Sequence, residues 1–398
     1  MGIIEGRCDE RFKPVADAFH DNFKKGKDIG ASIGVYFQGK EVVALWGGLA
    51  DPARNLPWKE RTITPLASTG KLLATVSLLT LAEQGKIDLD APVSKYWPEF
   101  AAAGKQAITI RMVLSHRSGV AVLDKPFSND DAKALTPVLR AIEAQRPWWN
   151  PGQRHGYHAL TFGFIASGII LKVTGMPVGR YFNQHIASRF DLDLYSGLAP
   201  ERFSQVAPMI GPSNAQAFMS FINPMWFRFF LSLLNKSSIS YKSSFGGSQA
   251  SFNDKSELCR YDVDDSSGGA VGSGISLAKM MAALIGKVDG IRLIGPELLD
   301  DVRKPLASGR DEVLKMRTDW ATGFAIPGGP IWPDFGVPGL FGMTGASGSL
   351  AFADPDHELS FGYSPNRWAE LGGFIAKHRF RSIDLAIAVY RSIGKNKS

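Results

Sequence analysis

The sequence predicts a mixed α/β (α+β) fold, an antiparallel sheet flanked by helices with an all-α domain inserted into it. Three observations carry this. Strand-like stretches stand near both ends of the 398-residue chain, at 30–37 and 41–47 and again near 321–326, 340–344, 349–353 and 359–363. Between about 63 and 265 the chain is predominantly helical, and further helical runs at 10–25, 276–286 and 378–393 accompany the strands. Strands first and last, with helices between, imply one antiparallel sheet completed by both termini. The expected division is 1–62 plus 266–398 as an α/β sandwich domain and 63–265 as a helical domain. Within the latter, 205–260 is read as a divergent lid or pocket segment.

In chain order, a polar helical stretch ends at Phe23-Lys24-Lys25-Gly26-Lys27-Asp28. A strand containing Val35-Tyr36-Phe37 follows, closed by a Gln38-Gly39-Lys40 turn. From Leu72 to Ala82 the chain is apolar on nearly all sides, the pattern of a helix buried within a large domain, and Gly85 stops it. The glycine-rich Gly268–Gly274 stretch leads into the 276–286 helix. Residues Phe218 to Leu234 are very apolar and aromatic, including Phe218, Phe221, Trp226, Phe227, Phe229, Phe230 and Leu231. Asn223-Pro224 and Arg228 interrupt this run and make it a poor membrane span. It reads as a pocket-lining or lid segment, with interfacial attachment as the alternative.

A hydrophobic content of 44% suits a sizeable core. The formal charge of +7 is dispersed along the sequence, with mild clusters at Lys377–Arg381 and Lys395–Lys397, which argues against nucleic-acid binding. Two distant cysteines, Cys8 and Cys259, suggest no disulfide framework and fit a reducing compartment. The first thirty residues hold no apolar signal region, so a cytoplasmic location is expected. Ile4-Glu5-Gly6-Arg7 matches an engineered protease site, which leaves the native start open.

The chemistry centres on Ser68-Thr69-Gly70-Lys71. Residues three apart share one face of a helix, so this spacing sets an ammonium beside a hydroxyl. A serine hydroxyl is a poor nucleophile until a neighbouring group accepts its proton. Ser-x-x-Lys supplies nucleophile and base within four residues. A helix mouth adds free N–H groups and the positive dipole end, both suited to a developing oxyanion.

Several ordered blocks around this motif resemble the class C β-lactamase-like serine hydrolases, in particular their esterase branch, the family VIII carboxylesterases. The blocks are Ser68–Lys71, Gly85–Val93, Trp97–Phe100, Ile108–Gly119, Trp149–Gly152, Tyr157–Gly163, Gly269–Leu284 and Gly342–Pro355. The resemblance implies a β-lactamase/transpeptidase-like fold with the active site at the junction of the two domains. It implies that Tyr157 shares proton transfer with Lys71, and that the amides of Ser68 and Ala346 form the oxyanion hole. Two positions depart from the family pattern. Ala159 stands where penicillin-recognising members carry an asparagine, and Met343 heads Met343-Thr344-Gly345 where a lysine or histidine is usual. An uncharged Met343 cannot pair with a substrate carboxylate, which favours neutral esters.

The expected activity is therefore hydrolysis of neutral short-to-medium acyl esters through an acyl-enzyme on Ser68. The alternatives are a β-lactamase or D-aminopeptidase-type amide hydrolase, an acyltransferase using the same Ser-Lys-Tyr site, or a non-catalytic relative. No cofactor, metal, nucleic-acid partner or stable membrane insertion is expected; the partner is a small-molecule ester, and the oligomeric state stays open.

Other signals are weaker. Gly30-Ala31-Ser32-Ile33-Gly34 fits Gly-x-Ser-x-Gly, but that elbow needs a strand before the serine and a helix after it. The order is reversed, so Ser32 reads as an ordinary strand residue. His155 and His158 lack a third ligand at metal-binding spacing. His116 is expected to fix a loop through its ring nitrogens. Trp148, Trp149, Trp226, Trp320 and Trp332 are candidate pocket walls, most of them expected in the core.

Overall fold

A computed structural model of the chain describes residues 3–211, 224–245, 261–329, 332, 337–368 and 381–394, the side chains of 224–226 and 245 excepted. Its strands are β1 Ile4–Cys8, β2 Gly30–Phe37, β3 Lys40–Asp51, β4 Leu56–Pro57, β5 Thr64–Pro65, β6 Leu194–Tyr195, β7 Val271–Gly272, β8 Ala307–Arg310, β9 Arg317–Trp320, β10 Phe341–Thr344, β11 Leu350–Asp354 and β12 Leu359–Pro365. Among the described residues, an antiparallel sheet runs β1-β3-β2-β12-β11-β10, with β4 paired to β3. Strands from both ends of the chain complete one sheet, as the sequence pattern predicts.

The alternation along β12 shows how the sandwich forms. Ser360 and Ser364 face one side, where their hydroxyls donate to Ala278 O at 2.7 Å and Gly272 O at 3.1 Å. Phe361 and Tyr363 face the other, where Phe361 stacks on Phe352 and Phe352 in turn on Tyr390. The helix Gly274–Ile285 covers the first face, and the helix Arg381–Ser392 supplies Tyr390 to the second. Helix and sheet meet backbone to backbone on the first face, since a Cβ on Gly362 would sit 2.1 Å from Gly274 O. Ser32 lies at this contact, fully buried, where its hydroxyl accepts from Gly274 N–H at 2.9 Å. It is a strand residue that anchors a helix start, and the glycines around it permit that approach.

Two elements differ from expectation. The Ile4–Arg7 segment is the edge strand β1, paired with β3 from Ile4–Gly47 to Cys8–Val43. Gly6 takes φ +121°, and a Cβ there would lie 2.0 Å from Ala44 O, so the ladder needs glycine at that position. The strand expected at 321–326 lies earlier, as the β8–β9 hairpin, and 321–326 turns instead. Gly323 breaks the strand with φ +82° and presses on Thr75, whose hydroxyl donates to Gly323 O at 3.2 Å.

The helix Lys71–Glu83 is buried from Lys71 through Leu81, as its apolar composition predicts. The helix Thr161–Thr174 packs against it in the same core. A small sheet, β5-β7-β6, ties this helical region to the sandwich just before Ser68. Among the described residues, no single helix is long and apolar enough to cross a membrane. Of the aromatic segment, Phe218 and Phe221 and the Trp226 side chain lie outside the described residues. The helix Pro224–Leu233 leaves Phe227 and Leu231 about half exposed.

Candidate active site

β5 delivers the chain into the turn that carries Ser68. Ala67 adopts φ +47°, a left-handed conformation disfavoured for alanine, and Thr69 N–H closes the turn on Leu66 O at 3.2 Å. The turn is gripped from two sides. Leu66 N–H donates to Ala270 O at 2.9 Å. Gly70 lies so close to the same segment that a Cβ would fall 2.3 Å from the Ala270 methyl and 2.6 Å from Ser266 O. From the sheet, the Ser349 hydroxyl donates to Leu66 O at 2.8 Å. That leaves its lone pairs for the hydroxyls of Thr69 and Ser347, 2.8 and 3.0 Å away.

Lys71 opens the helix and is fully buried. Its Nζ donates to Ala159 O at 2.8 Å and to Ser68 Oγ at 3.5 Å. The Tyr157 ring centroid lies 4.8 Å from the same nitrogen. Ser68, Tyr157 and Ala159 are partly exposed, so the buried Lys71 nitrogen sits behind an accessible hydroxyl. Ala159 touches the site through its carbonyl, a contact its side chain does not determine.

Tyr157 is placed by its main chain. Its N–H points between the carboxylate oxygens of Asp311, at 3.1 and 3.0 Å. Gly156 N–H donates to His116 O at 3.0 Å, and Gly152 N–H to Arg117 O at 2.9 Å, which pins the loop to the Ser115–Gly119 turn. Asp311 is wholly buried and also accepts from the amides of Val313 and Leu314, both at 2.8 Å. Burial pushes its carboxyl pKa up against these hydrogen bonds.

Two histidines beside Tyr157, His116 and His158, are held toward their neutral forms. Burial first, and then proximity to His158, Lys71 and His155, holds His116 well below the usual histidine range. Burial pulls His158 down to about 4, with Lys71 adding to the fall against the Gly156 carbonyl. His158 Nδ1–H donates to Gly156 O at 2.7 Å, so its Nε2 accepts from the Ser118 hydroxyl at 2.6 Å. His116 accepts at Nδ1 from His158 N–H at 3.1 Å, which leaves its proton on Nε2. As the sequence suggested, His116 fixes a loop, though through one ring nitrogen. Among the described residues, no group of three or more His, Cys, Asp or Glu is placed to hold a metal.

The third predicted block lies against the Ser68 turn. A Cβ on Gly345 would sit 2.3 Å from Leu66 O, so the chain leaving β10 reaches the Ser68 turn without a side chain between them. Thr344 is half-buried, and Ala346 is exposed in the turn that Gly345 N–H closes on Ser349 O at 2.9 Å. Met343 is buried within the main core. Of the tryptophans, Trp149, Trp320 and Trp332 are buried, and Trp148 is exposed. Asp311 lies in no recognised block, and Ser349 lies in the Gly342–Pro355 block with no role assigned to it, yet each holds a predicted site segment.

Fold and site together place the protein among the serine hydrolases built on the β-lactamase fold. The family described as Beta-lactamase matches residues 16–384, and the chain belongs to it. It is 31% identical over 378 residues to the esterase/beta-lactamase LipL of Mycobacterium tuberculosis, covering 92% of this chain and 83% of LipL. A family VIII carboxylesterase of known structure superposes with a TM-score of 0.80 at 30% identity, covering 98% of this chain and 100% of that one. A penicillin-binding protein homologue from Caulobacter crescentus does so with a TM-score of 0.80 at 29% identity and the same coverage.

Proposed function

We propose that the protein is a serine carboxylesterase that hydrolyses neutral esters of short to medium acyl chain. The observation that carries this reading is the buried Lys71 Nζ, 3.5 Å from Ser68 Oγ and 4.8 Å from the Tyr157 ring. Ser68 Oγ attacks the ester carbonyl carbon as its proton passes to the Lys71–Tyr157 pair. The amides of Ser68 and Ala346 receive the oxyanion. The proton then goes to the departing alkoxide as the C–O bond breaks, leaving the acyl group on Ser68. Water attacks that acyl carbon by the same proton route, and Ser68 leaves reprotonated with release of the acid.

Neutral esters fit best because Met343, which stands where the family pattern carries a lysine or histidine, brings no charge that could pair with a substrate carboxylate. The carboxylesterase likeness at 30% identity supports the same class. An amide-hydrolysing reading is kept by one observation, the likeness to a relative named esterase/beta-lactamase. Hydrolysis of p-nitrophenyl butyrate by wild type and Ser68→Ala, beside a chromogenic cephalosporin, separates the two. Ester turnover that disappears with Ser68 supports the esterase; efficient cephalosporin opening with little ester turnover overturns it.

A further inference from the structure

The Tyr157 ring is fixed from behind by an assembly that no motif of the sequence announces. Trp320, at the end of β9, stacks on Tyr157 with centroids 5.5 Å apart and planes 12° from parallel. The Trp320 ring is itself tied down. Its Nε1–H donates to Thr318 Oγ1 at 2.9 Å, and the Thr318 hydroxyl donates to Asp311 Oδ2 at 3.2 Å. The second lone pair of Thr318 faces His155 Nε2 at 3.0 Å. The same Asp311 carboxylate receives the Tyr157 main-chain N–H. His116 meets Trp320 edge-on at 4.3 Å, so the indole is enclosed on a further side. All four residues, Asp311, Thr318, Trp320 and His155, are buried.

One carboxylate thus fixes the backbone of Tyr157 and, through Thr318 and Trp320, the plane of its ring. A phenol has two free torsions, and a relay step needs its oxygen held to a fraction of an ångström. Fixing the amide alone leaves the ring free to turn. The stack removes that freedom, and the Nε1–Thr318 bond keeps the stacking surface from turning with it.

We propose that Trp320 is a positioning residue for Tyr157, and that the Asp311–Thr318–Trp320 assembly sets the ring orientation in which Tyr157 moves protons at Ser68. This rests on the esterase reading in one respect, that Tyr157 takes part in proton transfer. A purely structural tryptophan lowers stability when removed and leaves the folded protein as active as before; a positioning one also lowers the turnover of the folded protein, with binding retained.

The test uses Trp320→Phe, Trp320→Leu and Thr318→Val in the full chain. Two readouts are taken: kcat and KM for p-nitrophenyl butyrate, and the rate at which a p-nitrophenyl alkylphosphonate labels Ser68. Thermal midpoints are measured beside them. Leucine leaves a partial cavity and offers no ring face, so the midpoint is expected to fall, while kcat and labelling rate of the folded protein, measured well below that midpoint, fall on the order of 100-fold with KM little changed. Phenylalanine keeps the stack and is expected to hold both rates within about tenfold of wild type. Thr318→Val frees the indole and should fall between the two. Trp320→Leu that labels as fast as wild type overturns the assignment. So does a loss shared equally by Trp320→Phe and accompanied by a matching fall in midpoint. Wild-type protein that takes no label at Ser68 removes the proton relay itself, and is told apart from the other outcomes by that result alone.

Discussion

Lys71 Nζ donates to the main-chain carbonyl of Ala159 at 2.8 Å, closer than its approach to Ser68 Oγ at 3.5 Å. The chain therefore steers its lysine with a backbone acceptor at the position where penicillin-recognising members carry an amide side chain. A carbonyl can steer the lysine nitrogen without carrying a charge of its own.

Lys71→Met tests the base with little change in volume. The thioether fills the buried site, so the protein is expected to remain folded, while kcat for p-nitrophenyl butyrate falls by about three orders of magnitude or more. Ala159→Asn keeps the carbonyl and should leave ester turnover within about tenfold of wild type. Near-normal turnover by Lys71→Met would exclude the lysine from the proton relay.

Ser349→Ala removes the hydroxyl that gathers Leu66 O, Thr69 and Ser347. The Leu66 carbonyl is then left without this donor beside the strained Ala67. The cost should be about 1–3 kcal/mol by urea unfolding, with kcat reduced more than KM is changed. Unchanged turnover would show that the contacts of Leu66 and Gly70 with Ala270 suffice to hold the Ser68 turn.

Gly345→Ala places a methyl 2.3 Å from Leu66 O and 2.4 Å from Ser349 Oγ. Either β10 or the Ser68 turn must move, at a cost of about 1–3 kcal/mol. Activity should fall more steeply than stability, because both partners of the clash belong to the site. Equal kcat in the folded variant would show the gap between strand and turn to be adjustable.

Asp264 gives a pH signature outside the site. Its carboxylate accepts from Gly179 N–H and Ser196 Oγ, yet burial pushes its pKa up to about 6. The folded state thus binds a proton more tightly than the unfolded chain, whose carboxyl titrates near the usual value of 3.8. Its contribution to stability is present below the unfolded pKa and is lost as pH rises through about 6. Urea midpoints of wild type minus Asp264→Asn should therefore fall between pH 4 and pH 7. A difference that rises over this window contradicts the assignment.

The parts legible in the sequence are those whose signal is local. Ser68 and Lys71 announce each other at a spacing of three, and the buried helix after them shows its character in consecutive apolar residues. β2, β3, β11 and β12 are rich enough in apolar residues to be read directly. β8, Ala-Ser-Gly-Arg, has no such pattern and forms only because β9 pairs with it, so the strand expectation fell on the apolar residues just after β9. Asp311 and Ser349 were invisible for a different reason. Each meets its partner across a long separation, 154 residues to Tyr157 and 283 to Leu66; Asp311 lies in no recognised block, and the Gly342–Pro355 block that contains Ser349 does not announce its bond to Leu66. Trp320 was noticed as aromatic bulk, but its stack on Tyr157 exists only in the folded chain.

The edge strand β1 also makes the N-terminus a gauge of its own attachment. A protease that recognises Ile4-Glu5-Gly6-Arg7 must take the segment as an extended strand in its own cleft, and β3 already occupies that ladder. Arg7 is further tethered to Glu41 and Glu60. Cleavage after Arg7 in the native protein therefore waits for β1 to peel away. When that peeling is fast relative to cutting, the rate of proteolysis reads the free energy of detaching a single strand from an otherwise intact sheet.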